Sequence, residues 1–247
     1  MHRAHLEPLF APIPHRWLSA VALAIGLIGM LPRNGLAQSV QPYVDHWDSL
    51  KTVKKSEGLM VNGREWGEWK FWDPQGHITE KSDFKSGERE GHVVIYYDNG
   101  KVQHDGWFHL GRQDSLMRSY YRSGQLMEEG SYMKGVKRGP WTYWYADGHR
   151  MMTEQCDKDI CLSIDAWDRD STQTLKNGEG FIRTWYPTGD TADVSYYHMG
   201  VHSGEERTYW PAGNLKARGQ WLGGVKRGKW ERWYADSKRE RTENWSK

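Results

Sequence analysis

The chain has 247 residues, of which 34 are Lys or Arg and 32 are Asp or Glu; 37% are hydrophobic and 13% aromatic. A balance this even lacks the electrostatic footprint of a nucleic-acid-binding protein and gives no general attraction to anionic lipid. With 15 Trp and 13 Tyr against 5 Phe, the interior is expected to be thin, built from amphipathic rings that tolerate one wet edge.

Residues 1–37 read separately from the rest. A His- and Arg-containing start runs to Arg16, followed by an apolar run from Trp17 to Leu31 and the small-residue exit Gly35-Leu36-Ala37. That order predicts a secretory signal peptide cleaved between Ala37 and Gln38, hence an exported chain that is periplasmic, at the cell surface or secreted. The apolar run falls short of the ~20 residues a spanning helix needs, so an uncleaved anchor is the lesser alternative and membrane insertion of the mature chain is not expected. Removing Arg3, Arg16, Arg33 and Glu7 with this segment leaves basic and acidic residues equal in number. Residues 38–56 then form a lead-in or cap.

From residue 57 onward the chain repeats itself. GVKRGPWTYWYADG, beginning at Gly135, returns as GVKRGKWERWYADS, beginning at Gly224. With the Gly before the Trp as position zero, the register runs Gly67, Gly91, Ser115, Gly139, Gly180, Gly204, Gly228, in steps of 24 residues except for one of 41. Five residues on stand Trp72, Tyr96, Tyr120, Trp144, Trp185, Tyr209 and Trp233. Nine residues on comes a turn glycine, from Gly76 to Gly213, with Ser237 in the last unit. Seventeen on come Phe84, Phe108, Tyr132, Tyr197, Trp221 and Trp245, with Cys156 as the substitute. Ser115 and Ser237 stand where other units have Gly, which suits a backbone not forced to positive φ at those two positions.

Turn signals such as YYDNGK and WYADGH, two per unit, leave room for two strands of about six residues each. No stretch after residue 37 sustains the i, i+3, i+4, i+7 apolar pattern of a helix. The predicted fold class is therefore all-β: an elongated single-layer meander of about seven β-hairpin repeats, roughly fourteen strands and about 65 Å along the sheet. The rings at plus five, alternating with those at plus seventeen on intervening strands, are expected to form a structural aromatic ladder. Exposed rings stacking on glycan or caging choline are the competing reading.

The long step marks residues 149–179 as an insertion between a first block, 57–148, and a second, 180–247. It holds the two cysteines, Cys156 and Cys161, and a disulfide is preferred over two free thiols for an exported chain. It also holds DAWDRD, which matches no unit. Departures of this kind carry specific function on repeat scaffolds, so Trp167 with Asp165, Asp168 and Arg169 is the candidate partner-contact surface, a tolerated surface loop being the alternative.

The unit, roughly G-x-W-x-x-W/Y-Y-x-x-G followed by G-x-Y/F-x-x-G-x-x-x-G, resembles the bacterial variant of the MORN repeat found in YwqK-like antitoxin-type proteins. It is most specific in GSYMKGVKRGPWTYWYADG and GQWLGGVKRGKWERWYADS. The resemblance implies a solenoid-like run of hairpins that associates with proteins, and it carries over no catalytic residue and no cofactor.

Nothing else in the sequence assembles chemistry. His198 and His202 have the spacing of a zinc pair on a helix but straddle Gly200 in a predicted turn, so they read as solvated turn residues. Carboxylates such as Glu128 with Glu129, or Asp157 with Asp159, need a cleft to converge across before they can act as acid and base. The doublets Lys137-Arg138 and Lys226-Arg227 recur in two units only and read as solvated turns. The sequence thus predicts no catalytic residue, no metal site and no cofactor. It predicts an exported, non-enzymatic scaffold whose partner is another envelope or secreted protein and not nucleic acid, with an envelope ligand binder for glycan or choline as the alternative.

Overall fold

The computed structural model describes residues 38–158 and 160–245, so the predicted signal peptide lies outside the described residues. The described chain from Ser39 onward forms one sheet unit. Its strands are β1 (Val40–His46), β2 (Lys54–Val61), β3 (Arg64–Trp72), β4 (Ile78–Lys85), β5 (Glu88–Tyr96), β6 (Val102–His109), β7 (Arg112–Tyr120), β8 (Leu126–Met133) and β9 (Val136–Trp144). They continue as β10 (Arg150–Asp157), β11 (Ile160–Trp167), β12 (Gln173–Lys176), β13 (Glu179–Trp185), β14 (Thr191–His198), β15 (Val201–Tyr209), β16 (Leu215–Leu222), β17 (Val225–Trp233) and β18 (Arg239–Trp245). Each strand pairs antiparallel with its sequence neighbours, giving an open hairpin meander. With 18 strands, the sheet measures about 80 Å along its hydrogen-bonding direction. It exceeds the expected length because residues 38–56 and 149–179 also supply strands.

Two kinds of turn alternate. Along one side of the sheet the hairpins close through two residues, such as Asn62-Gly63, Ser86-Gly87 and Lys134-Gly135, both at positive φ. This is the turn whose twist matches that of the strands it joins. Along the other side the loop is longer: the Gly100 N–H donates to the Tyr97 carbonyl at 2.9 Å and the Tyr97 N–H to the Lys101 carbonyl at 2.8 Å. Its left-handed residue is Gly in most units but Ser237 (φ 67°) in the last, and Ser115 (φ 66°) likewise occupies the bulge at position zero. Both serines therefore sit in the strained region, contrary to the sequence expectation; the fold imposes the conformation and the side chain bears it.

The core is a row of residues at plus two. Trp69, Val93, Trp141 and Trp230 are all at least 97% buried. Across from each, on the preceding strand, stands a small residue. A Cβ on Gly58 would lie 2.4 Å from the Trp69 ring, and one on Gly130 or Gly219 would lie 2.1 Å from Trp141 or Trp230. Where the large residue is only Val93, its register partner is Ser82. Thus the indole lies flat on bare backbone, and large and small residues match from unit to unit.

The rings at plus seventeen do not intervene between those at plus five. They pack on the core: Phe84 against Trp69 at 6.2 Å, Tyr132 against Trp141 at 5.1 Å, Trp221 against Trp230 at 5.9 Å. Successive units are tied instead through plus six. Tyr97 Oη donates to the Tyr120 carbonyl at 2.8 Å, Tyr121 to that of Trp144 at 2.8 Å and Tyr186 to that of Tyr209 at 2.7 Å. Trp210 Nε1 does the same to the Trp233 carbonyl at 3.1 Å, and Trp47 Nε1 to that of Trp72 at 2.8 Å. Trp72, Tyr96, Tyr120, Trp144, Trp185, Tyr209 and Trp233 end their strands half-buried. For several of them it is the carbonyl, not the ring, that joins the ladder.

Candidate interaction cleft

The segment 149–179 is part of the sheet and contains a repeat that the 24-residue register hides. Tyr145 Oη donates to the Trp167 carbonyl at 2.9 Å, placing Trp167 in the plus-five slot. The loop after it matches the loop after Trp144: the Ser171 N–H donates to the Asp168 carbonyl at 2.9 Å as that of Gly148 does to Tyr145 at 2.9 Å. Asp170 Oδ1 accepts from the Thr172 N–H at 2.9 Å as Asp147 Oδ1 accepts from that of His149 at 3.0 Å. DAWDRD therefore does match a unit, WDRDS standing for WYADG, and that alignment was available in the sequence.

Two departures together distinguish this unit. Asp168, like Asp73 in the first unit, stands where the others have Tyr or Trp, so its side chain places no ring in the ladder; here that coincides with a shortened strand. β12 has 4 residues where β8 has 8. The short strand pairs with β11 only at Ala166 and Trp167. The exposed ladder of β11 is met from elsewhere: the Ser163 N–H donates to the Gly200 carbonyl at 3.0 Å, and the Gly178 N–H to the Ile164 carbonyl at 2.7 Å. Beside this interruption opens a cleft of ≈ 260 Å³ whose walls include Tyr145, Met152, Trp167, Arg169, Ile182 and Trp185.

The four residues singled out from the sequence separate here. Trp167 and Arg169 line the cleft. Arg169 lies over the Trp185 ring at 4.8 Å and Arg150 over the Trp167 ring at 5.5 Å. Tyr145 meets Trp185 edge to face at 6.1 Å, and its hydroxyl is pushed up to about 12, chiefly by burial and then by Asp168. Asp168 is 8% exposed and faces Arg183 at 3.2 Å. Burial raises its carboxyl above the ordinary range despite that guanidinium. Asp165 braces the short hairpin, accepting from Gln173 Nε2 at 3.0 Å and from the Asn177 N–H at 3.1 Å. Trp185 and Arg150 were not grouped with these residues in the sequence, because their approach depends on β12 being short.

Cys156 on β10 and Cys161 on β11 are register partners with Cα atoms 4.0 Å apart and sulfurs at bonding distance, 2.03 Å. Glu154 lies within 4.8 Å of both sulfurs, which are engaged with each other. His198 and His202 do not converge. His198 pairs with Glu179 at 3.0 Å, and Tyr197, its neighbour on β14, is the register partner of His202. Strand alternation therefore sends the two imidazoles to opposite faces. His202 is not a solvated turn residue: it stacks on Tyr197 at 5.3 Å and Trp221 at 4.4 Å, and burial lowers its basicity. The Lys-Arg doublets are likewise structural, Lys137 covering Trp141 at 3.9 Å and Lys226 covering Trp230 at 4.1 Å.

Hairpins stacked edge to edge, with a row of rings on bare backbone and one shortened unit, define an antiparallel hairpin-repeat protein. Residues 67–86, 89–106 and 113–134 match the family described as MORN repeat variant. These stretches cover successive units from β3 to β8. No curated protein matches the chain.

Proposed function

We propose that the chain is an exported, non-enzymatic scaffold that holds another envelope or secreted protein, with its contact centred on the cleft between Trp167 and Trp185. We read all the hairpin units as MORN-like, of the YwqK-like type. The observation that carries the reading is the coincidence of the one shortened repeat with an apolar cleft rimmed by arginine. Repeat arrays put recognition at such departures because the regular units are committed to packing on their neighbours. The Cys156–Cys161 pair is compatible with an oxidising compartment. Choline fits less well, because guanidinium groups already lie over both indole rings and would repel a second cation.

Full-length tagged protein and its Trp167→Ala variant, expressed in the native host and cross-linked in place, test the reading. One envelope protein recovered by the unmodified chain, lost from the variant, and bound again when purified supports it. Identical recovery by both chains refutes docking at this cleft. Export is checked by the mass of the mature chain, expected to begin at Gln38.

A further inference from the structure

We propose that the partner presents to this cleft a bulky apolar side chain next to a carboxylate, the apolar group seated between Trp167 and Trp185 and the carboxylate held by Arg169 and Arg150. The inference rests on the scaffold reading and specifies the chemistry of what is scaffolded.

Size comes first. A volume of ≈ 260 Å³ is at the small end for ligand pockets, which typically hold ~300 Å³ or more. It suits one anchoring side chain of a protein, the kind of buried apolar contact that dominates interface energetics. Its walls are mainly rings, thioethers and aliphatic groups, with Met151, Met152 and Ile182 beside Trp167 and Trp185, and Arg169 and Arg183 among the polar residues. Thioether and aromatic surface adapts to a bulky apolar guest.

Charge comes second. Among the described residues Arg150 and Arg169 form no ion pair, although the sheet elsewhere pairs many of its arginines with carboxylates. Both are exposed, and each lies over an indole that flanks the cleft. A guanidinium held near a ring face without an ion-pair partner still has N–H donors to offer, in the fork that matches a carboxylate. The acidic groups nearby are already engaged: Asp168 with Arg183, Asp165 with Gln173 and Asn177, Asp170 with the Thr172 N–H. These three carboxylates keep their charge and match Arg150, Arg169 and Arg183 in number, so the rim is balanced overall, and what distinguishes Arg150 and Arg169 is that neither guanidinium is paired with one of them. A polyanion such as nucleic acid needs a stripe of positive charge, which the described sheet does not offer; one acidic residue beside one bulky apolar residue needs only this rim.

The test is fluorescence polarisation of rhodamine-labelled hexapeptides added to the full chain. The probes are Gly-Phe-Asp-Phe-Glu-Gly, its Asn/Gln counterpart and its Lys/Lys counterpart. The acidic peptide is expected to bind at least tenfold more tightly than the amide form and to weaken as salt rises. Arg150→Ala with Arg169→Ala is expected to abolish that preference while leaving the far-UV circular dichroism unchanged. Equal binding of acidic and amide peptides overturns the carboxylate while leaving the cleft a docking site. Preference for the Lys peptide, or an acidic preference that survives loss of both arginines, also overturns it. Absence of binding by all three, with partner capture still dependent on Trp167, overturns the inference and leaves the scaffold reading standing.

Discussion

Gly130→Ala is the sharpest probe of how this sheet is held together. Gly130 needs no unusual backbone angle, so any cost of the substitution comes from the space its Cβ would occupy. That atom would stand 2.1 Å from Cδ2 of Trp141, whose ring is 99% buried and meets Tyr132 and Tyr143 at 5.1 and 6.3 Å. Contact at ordinary van der Waals distance requires the indole to retreat by more than 1 Å, and the covering Lys137 retreats with it. Overpacking of this order, with partial loss of a buried Trp, costs about 3 kcal/mol. Gly106→Ala is the control, since the nearest atom to its Cβ is the flexible Met117 Cγ at 3.4 Å and the others, Met117 Cβ at 3.6 Å and the Leu116 carbonyl oxygen at 3.7 Å, are at ordinary contact distance, and its cost is expected below about 1 kcal/mol. Because repeat arrays unfold in segments, native-state hydrogen exchange is the better readout: amides of β8 and β9 are expected to lose on the order of a hundredfold protection in Gly130→Ala. Adding Trp141→Val, which recreates the Ser82–Val93 size match, is expected to recover part of the loss as a coupling of about 1 kcal/mol or more. Equal effects of Gly130→Ala and Gly106→Ala, or additivity with Trp141→Val, would refute the flat-on-backbone account.

Tyr121→Phe removes the 2.8 Å bond to the Trp144 carbonyl and is expected to cost about 1 kcal/mol in urea unfolding. Ser115→Gly relieves a residue at φ 66° and is expected to stabilise by about 0.5 kcal/mol, net of the extra freedom Gly gives the unfolded chain. Reduction of the Cys156–Cys161 pair, or its replacement by Ser, is expected to cost about 2 kcal/mol for so short a loop, read as a lower melting temperature with reductant. Lys229 and then Arg218 hold the Glu231 carboxyl down at about 2, against an ordinary 4.5. A depressed carboxyl stabilises fully above its unfolded value and loses that contribution as pH falls through the folded one. The melting-temperature advantage of the natural chain over Glu231→Gln should therefore be complete at neutral pH and shrink between pH 4.5 and 2; a constant difference across that window would contradict the cluster's role.

The hairpin meander was legible in the sequence because each unit must solve the same local problem. Two turns with left-handed residues recur in every 24, and a Gly or Ser with an aromatic at fixed distance is visible without coordinates. The matching of Trp69, Trp141 and Trp230 to Gly58, Gly130 and Gly219 was written there as well, but across units: plus two of one pairs with plus fifteen of the one before. The 24-residue period alone does not reveal that register, because the bulge at position zero shifts the pairing within each hairpin. WDRDS could likewise have been aligned with WYADG, and residues 149–179 read as an uncounted repeat.

What only the tertiary structure decided is the cleft. Trp185 lies 18 residues beyond Trp167 in sequence, and neither has a composition or spacing that marks it from the other ladder rings. They flank one cavity because β12 stops after 4 residues and Asp168 withholds a ring. The same shortening brings the Gly200 turn against β11, where the backbone donor of Ser163 would otherwise lack a partner. Local propensity fixes turns and strands one at a time; how far a truncated strand lets its neighbours close up depends on the packing of the strands on both sides of it.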